Sequence, residues 1–183
     1  MKFKNFKYFG DKNTFAIRYA SSEYSEDHAY CNLILGGQVI GYDYEDCYLP
    51  FWRAKIEIIK DNIKFHSNSL YHHEFDNRTD REIFELIFKA SKEYDDDNNE
   101  YGYLPVLEYE IWHYCSISID KTTDSYFVTM AADNDCDKIK FIWEGWIEPC
   151  PNENIGKLFS VTVDKELVIE AMEKFLAEVH KDK

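Results

Sequence analysis

The run KIKFIWEGW, residues 138 to 146, constrains the fold more than any other stretch of this chain. Ile139, Phe141 and Trp143 alternate with Lys140, Ile142 and Glu144, and a period of two marks a strand that sends every second side chain into a core. Gly145, Pro149 and Pro151 follow at once. Proline has no amide proton to offer a neighbouring strand, so pairing ends there. Two tryptophans, a thiol and acids crowd into KFIWEGWIEPCP, which looks catalytic at first sight. The end of a strand accounts for them with fewer assumptions.

Related runs surround it. SYFVTMAA, KLFSVTV and VLEYEIWHYCSISID share the β-branched and aromatic bias of strands, and KTTD and DNDCD between them are turn-like. Near the amino end, TFAIRYA is a further strand, and YCNLIL and QVIGYDY meet at Gly36 and Gly37. Two glycines between apolar runs predict a tight hairpin, because both tolerate positive φ.

Three segments follow helical spacing instead. Leu49, Trp52, Ile56, Ile59 and Ile63 recur every three or four residues, with Pro50 in the first turn; the internal KIEII also suits a strand. TDRE, residues 79 to 82, is a capping box opening a helix that carries Ile83, Ile87, Ala90 and Tyr94 on one face. Asp164 is placed to cap a last helix with a stripe of Leu167, Val168, Ala171, Met172, Phe175, Leu176 and Val179. Glu166 near its start and His180 and Lys181 near its end suit the helix dipole. The expectation is an α+β fold, antiparallel sheet segments with about three helices packed on one face. No repeat or linker interrupts residues 1–183, which read as one domain.

The 14 Tyr, 13 Phe and 4 Trp exclude an aromatic-poor, disordered chain. Five scattered cysteines, with no CxxC pair, read as free thiols in a reducing compartment. Lysines interrupt the phenylalanines of the first dozen residues, and no apolar run reaches the roughly 18 residues of a membrane span. A soluble, cytoplasmic protein is expected, with no membrane partner.

Charge narrows the function. The chain carries 35 acidic and 21 basic side chains, a formal charge of −14, and such a surface repels nucleic acid. No Lys or Arg lies between Lys92 and Lys121 or between Arg18 and Arg53. The first gap holds Tyr94, Asp95, Asp96, Asp97, Glu100, Tyr101 and Tyr103; the second holds Glu23, Glu26, Asp27, Tyr42, Asp43, Tyr44, Glu45, Asp46 and Tyr48. Carboxylates steer a basic partner, and tyrosine is enriched at binding hot spots. A solvated acidic face and ordinary edge packing are the plainer explanations of the same residues.

Catalytic and metal patterns are weaker. His66, His72, His73, Glu74 and Asp76 lie close in sequence, but adjacent histidines on an extended chain point apart and HExxH spacing is absent. The acids of DNDCD resemble a calcium loop, yet Lys138 stands where that loop needs glycine. Cys31 beside Asp27 and His28, or Cys115 sharing a strand face with His113, can be drawn as a nucleophile and base, but core packing is the commoner use of such residues. No phosphate loop is present, so no cofactor and no catalysis are expected.

Three stretches, FGDKNTFAIRY, GGQVIGYDYEDCYL and LFSVTVDKELVIEAMEKFLAEV, together resemble bacterial immunity proteins of polymorphic toxin and contact-dependent inhibition systems. The resemblance implies an amino-terminal strand, a Gly-Gly hairpin, helices, further strands and a terminal helix. It also implies a protein that binds and blocks a cognate toxin domain, such as a nuclease, without catalysis or cofactor. Two other classes stay open: a DNA-mimic or anti-defence binding protein, whose acids would stand in parallel rows along strands, and a small enzyme whose residues meet only in the fold.

Overall fold

The computed structural model describes residues 5–42, 44–93, 108–121 and 123–180. Its architecture is α+β, with two antiparallel sheets and four helices among these residues. The first sheet contains β1 (Lys7–Gly10), β2 (Phe15–Ser21), β3 (His28–Leu35), β4 (Gln38–Ile40) and β5 (Cys47–Tyr48). Its order is β1-β2-β3-β4, and β5 also pairs with β3. Helix α1 (Leu49–Phe65) follows β5 directly, then α2 (Asp80–Glu93) and α3 (Glu108–Cys115). The second sheet is β6 (Ser116–Ile117), β7 (Tyr126–Ala132), β8 (Lys138–Gly145) and β9 (Leu158–Asp164), in that order, and α4 (Lys165–Val179) closes the fold.

The sheets meet through aromatic side chains. Phe15 of β2 stacks on Phe141 of β8 with ring centroids 5.1 Å apart. Trp143, fully buried, stacks on Phe159 and donates its indole N–H to Gln38 Oε1 at 3.3 Å. The β3–β4 hairpin turns at Gly36 and Gly37, both at positive φ as expected. Gly36 is also a contact: a Cβ there would stand 3.1 Å from Cη2 of Trp143. One residue thus sets the hairpin turn and the approach of the two sheets.

The predicted helical stripe of α1 is buried in full, at Leu49, Trp52, Ile56, Ile59 and Ile63, so KIEII is helix. The capping box forms as read: Thr79 N–H donates to Glu82 Oε2 at 2.7 Å, and Glu82 N–H donates to Thr79 Oγ1 at 3.3 Å. At the same terminus Asp80 accepts from Lys140 at 2.7 Å and from Ser160, pinning α2 to the second sheet. Helix α4 covers β1 and β2, where Phe175 meets Phe9 and Tyr19 edge-on, and Lys64–Glu173 at 2.8 Å ties it to α1.

Three expectations are corrected. Residues 108–115 form helix α3, and only Ser116 and Ile117 of that run enter a strand. Ile111 and Cys115, four apart and both buried, give the segment a helical inner face. Packing against α2, the Ser67–Leu70 turn and β7 outweighs the strand propensity of its aromatics. In α4 the buried stripe includes Ile169, while Leu167 is 53% exposed. Asp164 occupies the N-cap position of α4 but makes no side-chain capping bond; it is the last residue of β9, opposite Lys138. Tyr94 and Lys181 lie outside the described residues.

Candidate partner-binding face

Strand β3 is paired at its two ends by different partners. Leu33–Leu35 bond to β4, and His28 and Ala29 bond to β5. Between them the chain leaves the sheet edge after Ile40, turns at Gly41 with φ +95° and returns at Cys47. This excursion carries Tyr42, Tyr44, Glu45 and Asp46.

What holds it is a polar pair inside the core. Asn32 (1% exposed) and Arg18 (7% exposed) are cross-strand partners on β3 and β2. Arg18 Nε donates to Asn32 Oδ1 at 2.9 Å, which orients the amide. Asn32 Nδ2 then donates to the carbonyls of Ile40 at 3.2 Å and Tyr42 at 2.7 Å. Those bonds replace the backbone pairing that the excursion gives up.

The excursion is also held from outside. Tyr42 and Tyr44 meet edge to face at 5.4 Å, and the Tyr42 hydroxyl donates to the Glu148 carbonyl at 3.4 Å. Glu45 pairs with Lys121 at 3.2 Å, and this contact raises the lysine's pKa. Asp46 accepts from Ser22 Oγ at 3.1 Å, and Ser22 Oγ in turn accepts from Tyr24 N–H, joining the excursion to the 22–27 loop. Burial raises the pKa of Tyr30, and Asp46, Tyr24 and Glu23 add to the shift, so these four groups share one patch. Tyr24, Tyr44 and Tyr48 are 87%, 60% and 53% exposed. Asp27 meets the same region through its carbonyl, which accepts from Leu49 N–H at the start of α1.

The structure therefore brings Tyr42, Tyr44, Glu45 and Asp46 together on one face, with Glu23, Tyr24 and Tyr48. Asp43, Tyr94, Asp95, Asp96, Asp97, Glu100, Tyr101 and Tyr103 lie outside the described residues. The stretch that lacks bases in sequence does not lack them in space, since Lys121 arrives from elsewhere to meet Glu45. The described acids of residues 19–52 sit in loops, so they do not form the strand-borne rows that phosphate mimicry would use. Sequence reasoning missed Tyr24, Arg18 and Asn32. A charged and an amide side chain within the apolar runs FAIRYA and YCNLIL were the available signal.

The fold separates Cys31 and Cys115 from the histidines drawn as their bases. On a helix, residues two apart point about 200° from one another, so His113 and Cys115 do not share a face; His113 is exposed and Cys115 buried. Burial pushes the Cys115 thiol up to about 12. Burial also raises Cys31, helped by its hydrogen bond to Cys47, and His28 lies an odd number of residues away on the same strand. All five cysteines are free, and only Cys136 is not fully buried. Iodoacetamide at about pH 8 should therefore label Cys136 first and reach Cys31 and Cys115 only on unfolding. Peptide mapping by mass spectrometry checks this, and rapid labelling of folded Cys115 would contradict it. Among the described residues no His, Cys, Asp and Glu side chains group as a metal site. His72 Nδ1 accepts Glu74 N–H, and Glu74 pairs with Arg78 at 2.6 Å. In the DNDCD turn Asp133 accepts from the amides of Asp137 and Lys138.

The chain is thus an α+β scaffold of two antiparallel sheets, with tyrosines and carboxylates carried on an excursion from a sheet edge. Over residues 3–178 the chain matches the family Immunity protein 42, and it belongs to that family. No curated protein and no solved structure matches it. Among the described residues no helix is long and apolar enough to cross a membrane.

Proposed function

We propose that this chain neutralises a cognate toxin domain in the cytoplasm by binding it, without catalysis, through the face built on Tyr42, Tyr44, Glu45 and Asp46. Membership of the Immunity protein 42 family carries the toxin as partner. The observation that carries the face is the display of Tyr24, Tyr44 and Tyr48, all more than half exposed, beside Glu23, Glu45 and Asp46. Exposed tyrosines supply rigid contact area, and carboxylates raise the encounter rate with a basic surface such as that of a nuclease. Asp43 and the acids and tyrosines of 94–103 belong to the proposal on their sequence alone.

Binding kinetics against a cognate toxin domain test it at two salt concentrations. Neutralising Glu45 and Asp46 to Gln and Asn should slow association and flatten its salt dependence, because the steering charge is screened within about 8 Å at physiological salt. Tyr44→Ala should speed dissociation, by roughly 30-fold if it is a hot spot worth about 2 kcal/mol. Association and dissociation both unchanged would remove this face from the interface.

A further inference from the structure

Beside Tyr44 the excursion and the 148–154 turn enclose a cleft of about 340 Å³, lined by Val39, Tyr44, Tyr126, Pro149, Pro151 and Asn154 among others. That volume lies at the lower end of ligand-sized clefts, about 300–1,000 Å³. We propose that it is an arginine socket, which receives the guanidinium-bearing side chain of the bound partner. The inference rests on the reading of the Tyr42–Asp46 face as the partner-binding face.

Three features select this occupant. The first is the wall chemistry: Tyr44, Tyr126, Pro149 and Pro151 line the cleft, and rings of these types are ones over which a planar, weakly hydrated guanidinium stacks. The second is charge. Among the described residues no charged side chain lines the cleft, whereas Glu148 and Glu153 are exposed on the adjoining turn. A partner carboxylate would meet repulsion there, and a purely aliphatic side chain would gain wall contact but no charge complement. The third is preorganisation. The Tyr42 ring braces Tyr44, and its hydroxyl bonds the Glu148 carbonyl, linking one wall to the other. Little side-chain freedom is then lost when the cleft fills.

The test uses the full chain, labelled for amide NMR, titrated with N-acetyl-arginine amide, N-acetyl-lysine amide and N-acetyl-norleucine amide. The arginine derivative should shift the amides of Val39, Gly41 and Asn154 and bind more tightly than the lysine derivative. The norleucine derivative, with wall contact but no charge complement, should bind more weakly than the arginine derivative. Tyr44→Ala should weaken the arginine derivative roughly two- to fivefold, the size of an exposed cation–π contact, and Tyr44→Phe should retain it. No arginine-induced shift, equal binding of either comparator, or equal loss in Tyr44→Phe and Tyr44→Ala would overturn the socket. The two readings fail separately. A toxin indifferent to Tyr44→Ala while the arginine derivative still enters the cleft would sink the face; toxin binding that depends on Tyr44 with an empty cleft would sink the socket alone.

Discussion

Trp143→Ala is expected to lower the free energy of unfolding by about 3–5 kcal/mol, the usual cost of truncating a fully buried large aromatic. Trp143 is 1% exposed and sits where the two sheets meet, against Phe159, Gly36 and Gln38. Removing the indole would leave a cavity between elements that cannot easily collapse, because the hairpin at Gly36 and strand β9 are each held by their own pairing. It would also leave the Gln38 carbonyl oxygen without its donor. Urea denaturation followed by circular dichroism measures the loss. An unchanged midpoint, with partner binding abolished, would show that Trp143 serves the surface and not the core.

Asn32→Ala is the second large effect, about 2–3 kcal/mol, because three hydrogen bonds vanish and one of them involves a charged donor. The loss has a local signature. Amide exchange should accelerate from Gly41 to Asp46 well beyond the rest of β3, since the carbonyls of Ile40 and Tyr42 lose the group that fixes them. Asn32→Asp separates the two roles of the side chain. A carboxylate still accepts from Arg18 but cannot donate to the carbonyls, so the excursion should loosen while the pairing to Arg18 is kept. Uniform acceleration in both variants would contradict a specific hold on the excursion.

The strands and the hairpin are legible in the sequence because their periodicity and their turn residues agree. Ile139, Phe141 and Trp143 share a buried face as read, although Ile142 on the opposite face is buried too, and Gly36 and Gly37 turn where two glycines predict a turn. The capping box at Thr79 and Glu82 is legible for the same reason, since donors and acceptors are fixed by local spacing. Helix α3 is not, because Tyr109, Ile111, Trp112 and Tyr114 have strand propensity and only the packing around Cys115 decides their conformation. The slip from Ile169 to Leu167 in α4 is similar: both residues are apolar, and the orientation of the helix on β1 and β2 selects the one that is buried. In the candidate face, residue type was legible and arrangement was not. The acids and tyrosines of 42–48 announce themselves by composition. Lys121 beside Glu45, and Asn32 beneath the excursion, arise from contacts 76 and 10 residues apart along the chain that no local pattern encodes.

The claim that the chain is a stoichiometric blocker of a toxin is tested most directly by titrating a cognate toxin domain's activity with the purified protein. The account predicts that activity falls linearly and is abolished near one equivalent, and that a Tyr44→Ala, Tyr48→Ala variant with unchanged melting temperature needs a clear excess to do the same. Toxin activity that persists through a large excess of the folded wild-type protein would contradict the account.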